Sequence, residues 1–366
     1  MVCLRYYCPD PMFQRRGKSL FALKRDSLPI LSKSGILVSQ FLTTFGIVSF
    51  WDEFCPFYFD SMTSTSTLNP AQKQLWLAAL KPPMYSVAVI PIFVGTATAF
   101  AQSDHVDWPI FAIFLTSAIV IIAWLNLSND VFDADTGIDK NKAHSIVNLT
   151  GNRLLIFWIS NLFLVLGLLG IVSISWFQQD FIVLKLMLLA CALGYSYQGP
   201  PFRFGYQGLG EFICFIAFGP LAIAAVYYSQ IHSFDLTLLA PAVIVGISTS
   251  LILFCSHFHQ VEDDLAAGKR SPIVRLGTAR GATVLTVGVI SIYLSTLIFI
   301  LLGIAPWLSS LIFLSLPLGI KLINYVRQYH DQPITISSSK FIAVKLHFIS
   351  GILLALGYIV SVYWEF

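Results

Sequence analysis

The chain has 366 residues, 56% of them hydrophobic and 11% charged, with a formal net charge of +3 and a mean hydropathy of +0.76. Soluble domains carry about 25% charged residues, so this composition excludes a soluble globular protein and indicates a polytopic membrane protein. The small net charge gives no ground for nucleic-acid binding.

The first 61 residues do not match the rest. Arg5, Arg15, Arg16, Lys18, Lys24 and Arg25 make the start basic, and the apolar run 35–50 is short for a span, which needs about 20 residues. A targeting peptide would account for the basic start, but no small-residue cleavage site is evident. Met62 opens a Ser/Thr-rich lead into the amphipathic stretch 70–81. The expectation is that 62–366 is a single transmembrane domain and that 1–61 is a dispensable extension upstream of the true start.

From there nine candidate spans follow, at about 84–102, 108–128, 154–175, 181–198, 209–229, 236–256, 283–304, 306–326 and 341–363. Each is near the ~17–25 residues that cross a bilayer as helix. The fold class expected is therefore all-α. Pro91, Pro220, Pro241 and Pro317 fall inside spans, where proline kinks a helix. The loops at 103–107, 176–180 and 230–235, and Ala305, contain no Lys or Arg. The alternate loops carry Lys140, Lys142, Arg203, Lys269, Arg270, Arg275, Arg280, Arg327 and Lys340, and the N-terminal lead carries Lys73 and Lys81. By the positive-inside rule the lead and these loops are cytoplasmic. Lys185 is the exception, and it can snorkel. Of the six cysteines, Cys3, Cys8 and Cys55 lie near the N-terminus and Cys191, Cys214 and Cys255 in apolar runs, with no CxxC pair; neither a disulfide framework nor a zinc site is indicated.

Two short segments beside the membrane hold seven of the 19 acidic residues. The first, ending the second span, contains Asn129, Asp130, Asp133, Asp135 and Asp139. Asp130 and Asp133, three residues apart on a helix, share a face, and two hard carboxylates with a carboxamide suit Mg²⁺ completed by water and phosphate oxygens. The alternative is a solvated acidic loop. A calcium loop starting at Asp133 fails, because Ile138 stands where the EF-hand needs glycine and His144 where it needs glutamate. The second segment, ending the sixth span, is Glu262, Asp263 and Asp264. It is followed by Lys269, Arg270 and Arg275, three cations able to hold a diphosphate. Four spans separate the two clusters on one membrane side. That recurrence resembles an internal repeat, and one diphosphate gripped by two metals is its simplest use. His257 and His259 are weaker ligand candidates, since a membrane-edge histidine is more often simply hydrogen-bonded. Glu211, just inside the fifth span, is an intramembrane acid and so a functional candidate.

Here the sequence resembles the UbiA superfamily of intramembrane prenyltransferases. Its first motif, Asn-Asp-x-x-Asp with a later Asp, matches Asn129, Asp130, Asp133 and Asp139. The Gly137-x-Asp139 pair and the tail from Gly268 and Lys269 to Arg275 look like the menaquinone branch, and residues 129–153 and 258–264 fit best the subgroup that makes phylloquinone. The resemblance covers about 70–366. One departure stands out: Gln260 is in the register of the second motif's first aspartate, which leaves Glu262, Asp263 or Asp264 to take the ligand role.

The resemblance implies nine helices around a central cavity open to lipid, a polar cytoplasmic cap, and Mg²⁺ on both acidic motifs holding a prenyl diphosphate. On that basis Asn129, Asp130, Asp133, Asp139, Asp263 and Asp264 are the metal candidates, with Asp130, Asp133 and Asp264 central to catalysis. Lys142, Arg153, Lys269, Arg270 and Arg275 are the diphosphate candidates, and Tyr195, Tyr197 and Gln260 the substrate-contacting ones. Phe132, Tyr195, Tyr197, Phe202 and Tyr206 sit at cytoplasmic ends, where rings face an allylic cation; an interfacial belt supplies such rings as well. The implied reaction transfers a phytyl or polyprenyl group to 1,4-dihydroxy-2-naphthoate or its quinone with loss of CO₂, in a plasma or photosynthetic membrane. No protein partner is evident. A sibling acting on homogentisate or chlorophyllide is the nearest alternative. A secondary transporter would place its acids near the midplane, and a non-catalytic lipid-binding scaffold would need no metal.

Overall fold

A computed structural model describes residues 70–138 and 145–364. Residues 1–61, Asp139 and Lys142, each given a status above, lie outside the described residues. Helix α1 (Pro70–Leu80) stops where Lys81 takes a left-handed backbone, φ 51°. The residue before a proline is disfavoured in the right-handed helical region, and Pro82 and Pro83 follow. Helix α2 (Ser86–Ser103) then begins. Helix α3 (Trp108–Thr136) opens on the Asp107 side chain, which accepts the Ile110 N–H at 3.0 Å, and closes at Gly137, φ 72°. At ~1.5 Å per residue its 29 residues make about 43 Å, more than the ~30 Å hydrocarbon core. The first acidic motif is therefore helical through Thr136, so the helix carries Asp130 and Asp133 on one face as expected and runs past the span end expected near residue 128.

Helices α4 (Ile146–Thr150), α5 (Arg153–Gln178) and α6 (Ile182–Gln198) follow. Next comes a span, Gly210–Ile231, made of α7 (Gly210–Ile216), a π-turn at Ala217–Leu221 and α8 (Ala222–Ile231). The π-turn coincides with Pro220, which has no N–H to give the helical ladder. Helix α9 (Leu239–His257) carries Pro241 in its first turn, and α13 (Leu316–Tyr329) carries Pro317 likewise. All four prolines lie inside spans, as expected, but Pro241 and Pro317 stand in the first α-turn after short 3₁₀ segments, Leu236–Leu238 and Trp307–Ser315, whereas Pro91 and Pro220 are interior. The remaining elements are α10 (Val261–Ala266), α11 (Pro272–Leu276), α12 (Thr278–Leu301), α14 (Pro333–Ile336) and α15 (Ser339–Ser361). No strand occurs among the described residues. Among the described residues eight helices are long and apolar enough to span, and the 17-residue α6 is a ninth, shorter apolar helix.

Residues from Trp76 onward form one compact unit. Its close crossings use small residues, as expected where lipid offers no hydrophobic drive between helices. A Cβ on Gly170 of α5 would overlap Ser117 Oγ of α3, and one on Gly351 of α15 would overlap Ile90 of α2. Helices α2, α9 and α15 are the most enclosed, whereas α5 and α12 turn Trp158, Leu162, Leu166, Val287 and Leu294 outward. The ends of α3, α6 and α9 and the start of α7 meet at one side of the bundle, where the polar residues gather.

Candidate active site

Asp130 is fully buried. A charge removed from water must be paired, and Lys81 Nζ lies 2.9 Å from its Oδ1 while the Ile146 N–H donates to Oδ2 at 3.0 Å. The proline-enforced turn at Lys81 and the start of α4 thus both converge on Asp130. One turn further, Asp133 takes Asn129 Nδ2 at 2.7 Å and the Tyr206 hydroxyl at 3.1 Å. The Tyr206 hydroxyl also meets Thr136 Oγ1 at 2.7 Å. Burial, then the Asp133 carboxylate, pushes the Tyr206 phenol well above its ordinary pKa, so it stays a donor.

The second motif reaches the same tyrosine. Lys269 Nζ lies 5.8 Å from the Tyr206 ring centroid and the Arg203 guanidinium 6.0 Å from it, within cation–π range. Lys269 also pairs with Asp264 Oδ1 at 3.2 Å. His257, at the end of α9, faces Asp264 Oδ2 with Nδ1 at 3.4 Å and Glu211 Oε1 with Nε2 at 3.4 Å. Burial pushes the Asp264 carboxyl up, but His257, Lys269 and Ser271 together hold it below the usual carboxylate range. These contacts are close without being aligned: neither oxygen of Asp264 or of Glu211 has a donor in hydrogen-bond geometry.

The helix does not run on through Gln260. Helix α9 ends at His257 and α10 starts at Val261. Even so, Gln260 supplies the carbonyl that accepts the Asp264 N–H at 2.7 Å, so the i, i+4 relation survives the break. Asp264 faces inward, and Glu262 and Asp263 are exposed.

A family model, the UbiA prenyltransferase family, matches residues 88–349. The chain belongs to the UbiA prenyltransferase family. A 2-carboxy-1,4-naphthoquinone phytyltransferase from Synechocystis is 63% identical over 301 residues, covering 81% of this chain and 98% of that protein. The chloroplastic 2-carboxy-1,4-naphthoquinone phytyltransferase of Arabidopsis thaliana is 43% identical, covering 80% and 78%. Among solved structures, a UbiA homologue from Archaeoglobus fulgidus bound to GPP and Mg²⁺ superposes with a TM-score of 0.56 at 19% identity, covering 79% of this chain and 99% of that one. That likeness shows a UbiA fold.

Within this UbiA chain, Asp130, Asp133, Asp264, Lys269 and Tyr197 come together; Tyr197 lies within electrostatic reach of Asp133, Glu211 and Asp264. Other candidates stand apart. Arg153 pairs with Asp135 on the exposed side. Arg275 gives its guanidinium to the carbonyls of Gln207, at 2.5 Å, and Arg270, at 3.0 Å, and the Arg270 N–H holds the Tyr206 carbonyl at 2.8 Å. These two arginines tie the loop carrying Tyr206 to the second motif. The Tyr195 hydroxyl donates to the Pro200 carbonyl at 2.8 Å, and its ring meets Phe132 edge-on at 5.8 Å.

Among the described residues no three His, Cys, Asp or Glu side chains close on a single metal position. The buried carboxylate of Asp264, held by long contacts to Lys269 and His257 and without an aligned donor, nevertheless fits a hard cation that takes its other ligands from water and phosphate. Sequence reasoning missed Lys81, read only as an orientation charge, and the joining role of Tyr206, read only as one interfacial ring among five. A lysine directly before Pro-Pro at a helix end was the one available signal for the first; the second had none.

Proposed function

We propose that this chain transfers a phytyl or polyprenyl group from its diphosphate to 1,4-dihydroxy-2-naphthoate or 2-carboxy-1,4-naphthoquinone, with loss of CO₂, in phylloquinone or menaquinone biosynthesis. The observation that carries the reading is the meeting of both acidic motifs at Tyr206, in a chain 63% identical to a phytyltransferase over 98% of that protein. Asp130, Asp133 and Asp264, with Asn129 and Asp139, would hold Mg²⁺, which when bound neutralises charge building on the departing diphosphate. Lys269 and Arg203 flank the Tyr206 ring and supply fixed positive charge to the same leaving group. Asn129 and the Tyr206 hydroxyl fix the rotamer of Asp133. The Phe132–Tyr195 pair gives an aromatic wall for the allylic cation.

The cation-bearing loops and both motifs are placed in the cytoplasm, and residues 1–61 are held to be dispensable. The test is product mass spectrometry on purified full-length protein in detergent, with magnesium varied and a panel of prenyl diphosphates offered with naphthoate, homogentisate and chlorophyllide. A phytylated naphthoquinone that vanishes with chelator is the expected result. Product from homogentisate or chlorophyllide alone, or no product and no diphosphate release, would overturn the reading.

A further inference from the structure

Glu211 sits in the first turn of α7, inside a span. Its side chain is 18% exposed. Neither carboxylate oxygen meets an aligned side-chain donor, and His257 Nε2 lies 3.4 Å from Oε1. Ser250 of α9 fixes the backbone by donating to the Glu211 carbonyl at 2.8 Å. The neighbouring Gly210 lies so close to Tyr197 that a Cβ there would come within 2.7 Å of its ring. Glu211 thus follows a residue packed against the Tyr197 ring, and Tyr197 lies within electrostatic reach of Glu211, Asp133 and Asp264. A buried carboxylate without an aligned side-chain donor is costly, and such an acid inside a span calls for a ligand that supplies one.

Resting on the function proposed above, we infer that Glu211 receives the ring hydroxyl of the aromatic acceptor, with His257 positioning it. Elimination over the reactants leads there. The diphosphate and the ring carboxylate are anionic and offer acceptors, and the prenyl chain has no polar group. The ring hydroxyl is the donor that remains. A quinone has none, so the form alkylated at this site is the dihydroxynaphthoate. Hydrogen bonding to a carboxylate pushes electron density from the hydroxyl into the ring. The ring carbon bearing the carboxylate then bonds to C1 of the prenyl group as the C–O bond to diphosphate breaks. The carboxylate leaves as CO₂, its bonding pair returning to the ring. The hydroxyl keeps its proton, and no oxidant or reductant is consumed.

The experiment is steady-state kinetics on the purified full chain with phytyl diphosphate and Mg²⁺, run anaerobically with the acceptor held either reduced or oxidised. Glu211→Gln should lower kcat/KM for the dihydroxynaphthoate by about 10², the scale of one principal polar contact to the reacting group. The donor KM and the magnesium half-saturation should stay within about twofold of wild type on that same scale. Glu211→Asp keeps the charge and should recover part of the loss. It also carries the test if the Gln variant does not insert, again through an acceptor-selective loss. Binding of the reduced acceptor without donor, followed by tryptophan quenching, should weaken in both variants. His257→Gln should lower kcat more than it raises the acceptor KM. A magnesium or donor KM shift as large as the acceptor's would overturn the inference and put Glu211 in the metal site. So would wild-type turnover of the oxidised acceptor as fast as the reduced one. If wild type alkylates no naphthoate in either redox state, the proposed function fails instead.

Discussion

The two acidic motifs end comparable helices, yet their carboxylates are held in opposite ways. In the first, Asp130 has each oxygen engaged, one by Lys81 and one by the Ile146 N–H, and Asp133 is met by Asn129 and Tyr206. In the second, Asp264 is equally buried but its contacts are longer, Lys269 at 3.2 Å and His257 at 3.4 Å, and Glu211 has His257 at 3.4 Å. A buried donor or acceptor without its partner costs about 1–3 kcal/mol, more for a charge. The first motif therefore contributes to the fold as well as to the site, whereas the second holds its carboxylates in a state that a ligand would complete.

The largest effect should come from the first motif. Asp130→Asn should cut turnover by roughly 10² or more and also lower the melting temperature, because it leaves the Lys81 ammonium facing a neutral group. Asp133→Asn should give a similar kinetic loss. The double variant should cost much less than the product of the singles, as for residues acting as a unit; small, additive losses would reduce the motif to solvated acid. Asp264→Asn should also lose about 10² in rate, with a smaller fall in melting temperature than Asp130→Asn. Equal thermal shifts would break the contrast between the motifs. Within the second motif, initial rates against magnesium should rank Asp264→Asn worst and the exposed Glu262→Gln mildest, and Gln260→Asp should be tolerated.

Tyr206→Phe should be intermediate. It removes a hydroxyl shared by Asp133 and Thr136, a loss of about 1 kcal/mol or roughly fivefold if felt at the transition state. It keeps the ring beside Lys269, so a loss as large as that of Asp133→Asn would mean the hydroxyl itself touches the reactants. Arg153→Ala should do least, because exposed ion pairs contribute about 0–1 kcal/mol; a tenfold rise in donor KM would show that Arg153 leaves Asp135 to hold diphosphate. Deleting 1–61 should leave rate and insertion unchanged.

The expected spans lie close to the observed helices, because apolar length against bilayer thickness is a one-dimensional property and needs no partner. Exceptions arose where backbone chemistry or tertiary contact intervened. Pro220 produced a π-turn, while Pro241 and Pro317 fell in first α-turns. The acid-bearing end of α3 stayed helical until Gly137 stopped it. In the second motif, the break after His257 was not legible, yet the inward face of Asp264 was, because the Gln260 carbonyl accepts its N–H across the break as a continuous helix would.

By itself the sequence determined that this is an all-α membrane protein with two acidic segments on one side, since composition, span length and charge asymmetry act locally along the chain. It also determined which residue types stand ready for a metal and a diphosphate. Only the tertiary structure decided which of them meet. Lys81 and Asp130 are 49 positions apart and Tyr206 and Asp133 are 73 apart, and no period or spacing links them. Arg153 and Arg275, cations by sequence equal to Lys269, are engaged elsewhere by Asp135 and by backbone carbonyls. A charged side chain's role depends on which partner reaches it within a few ångströms, and that distance is set by how helices cross, which no single helix encodes.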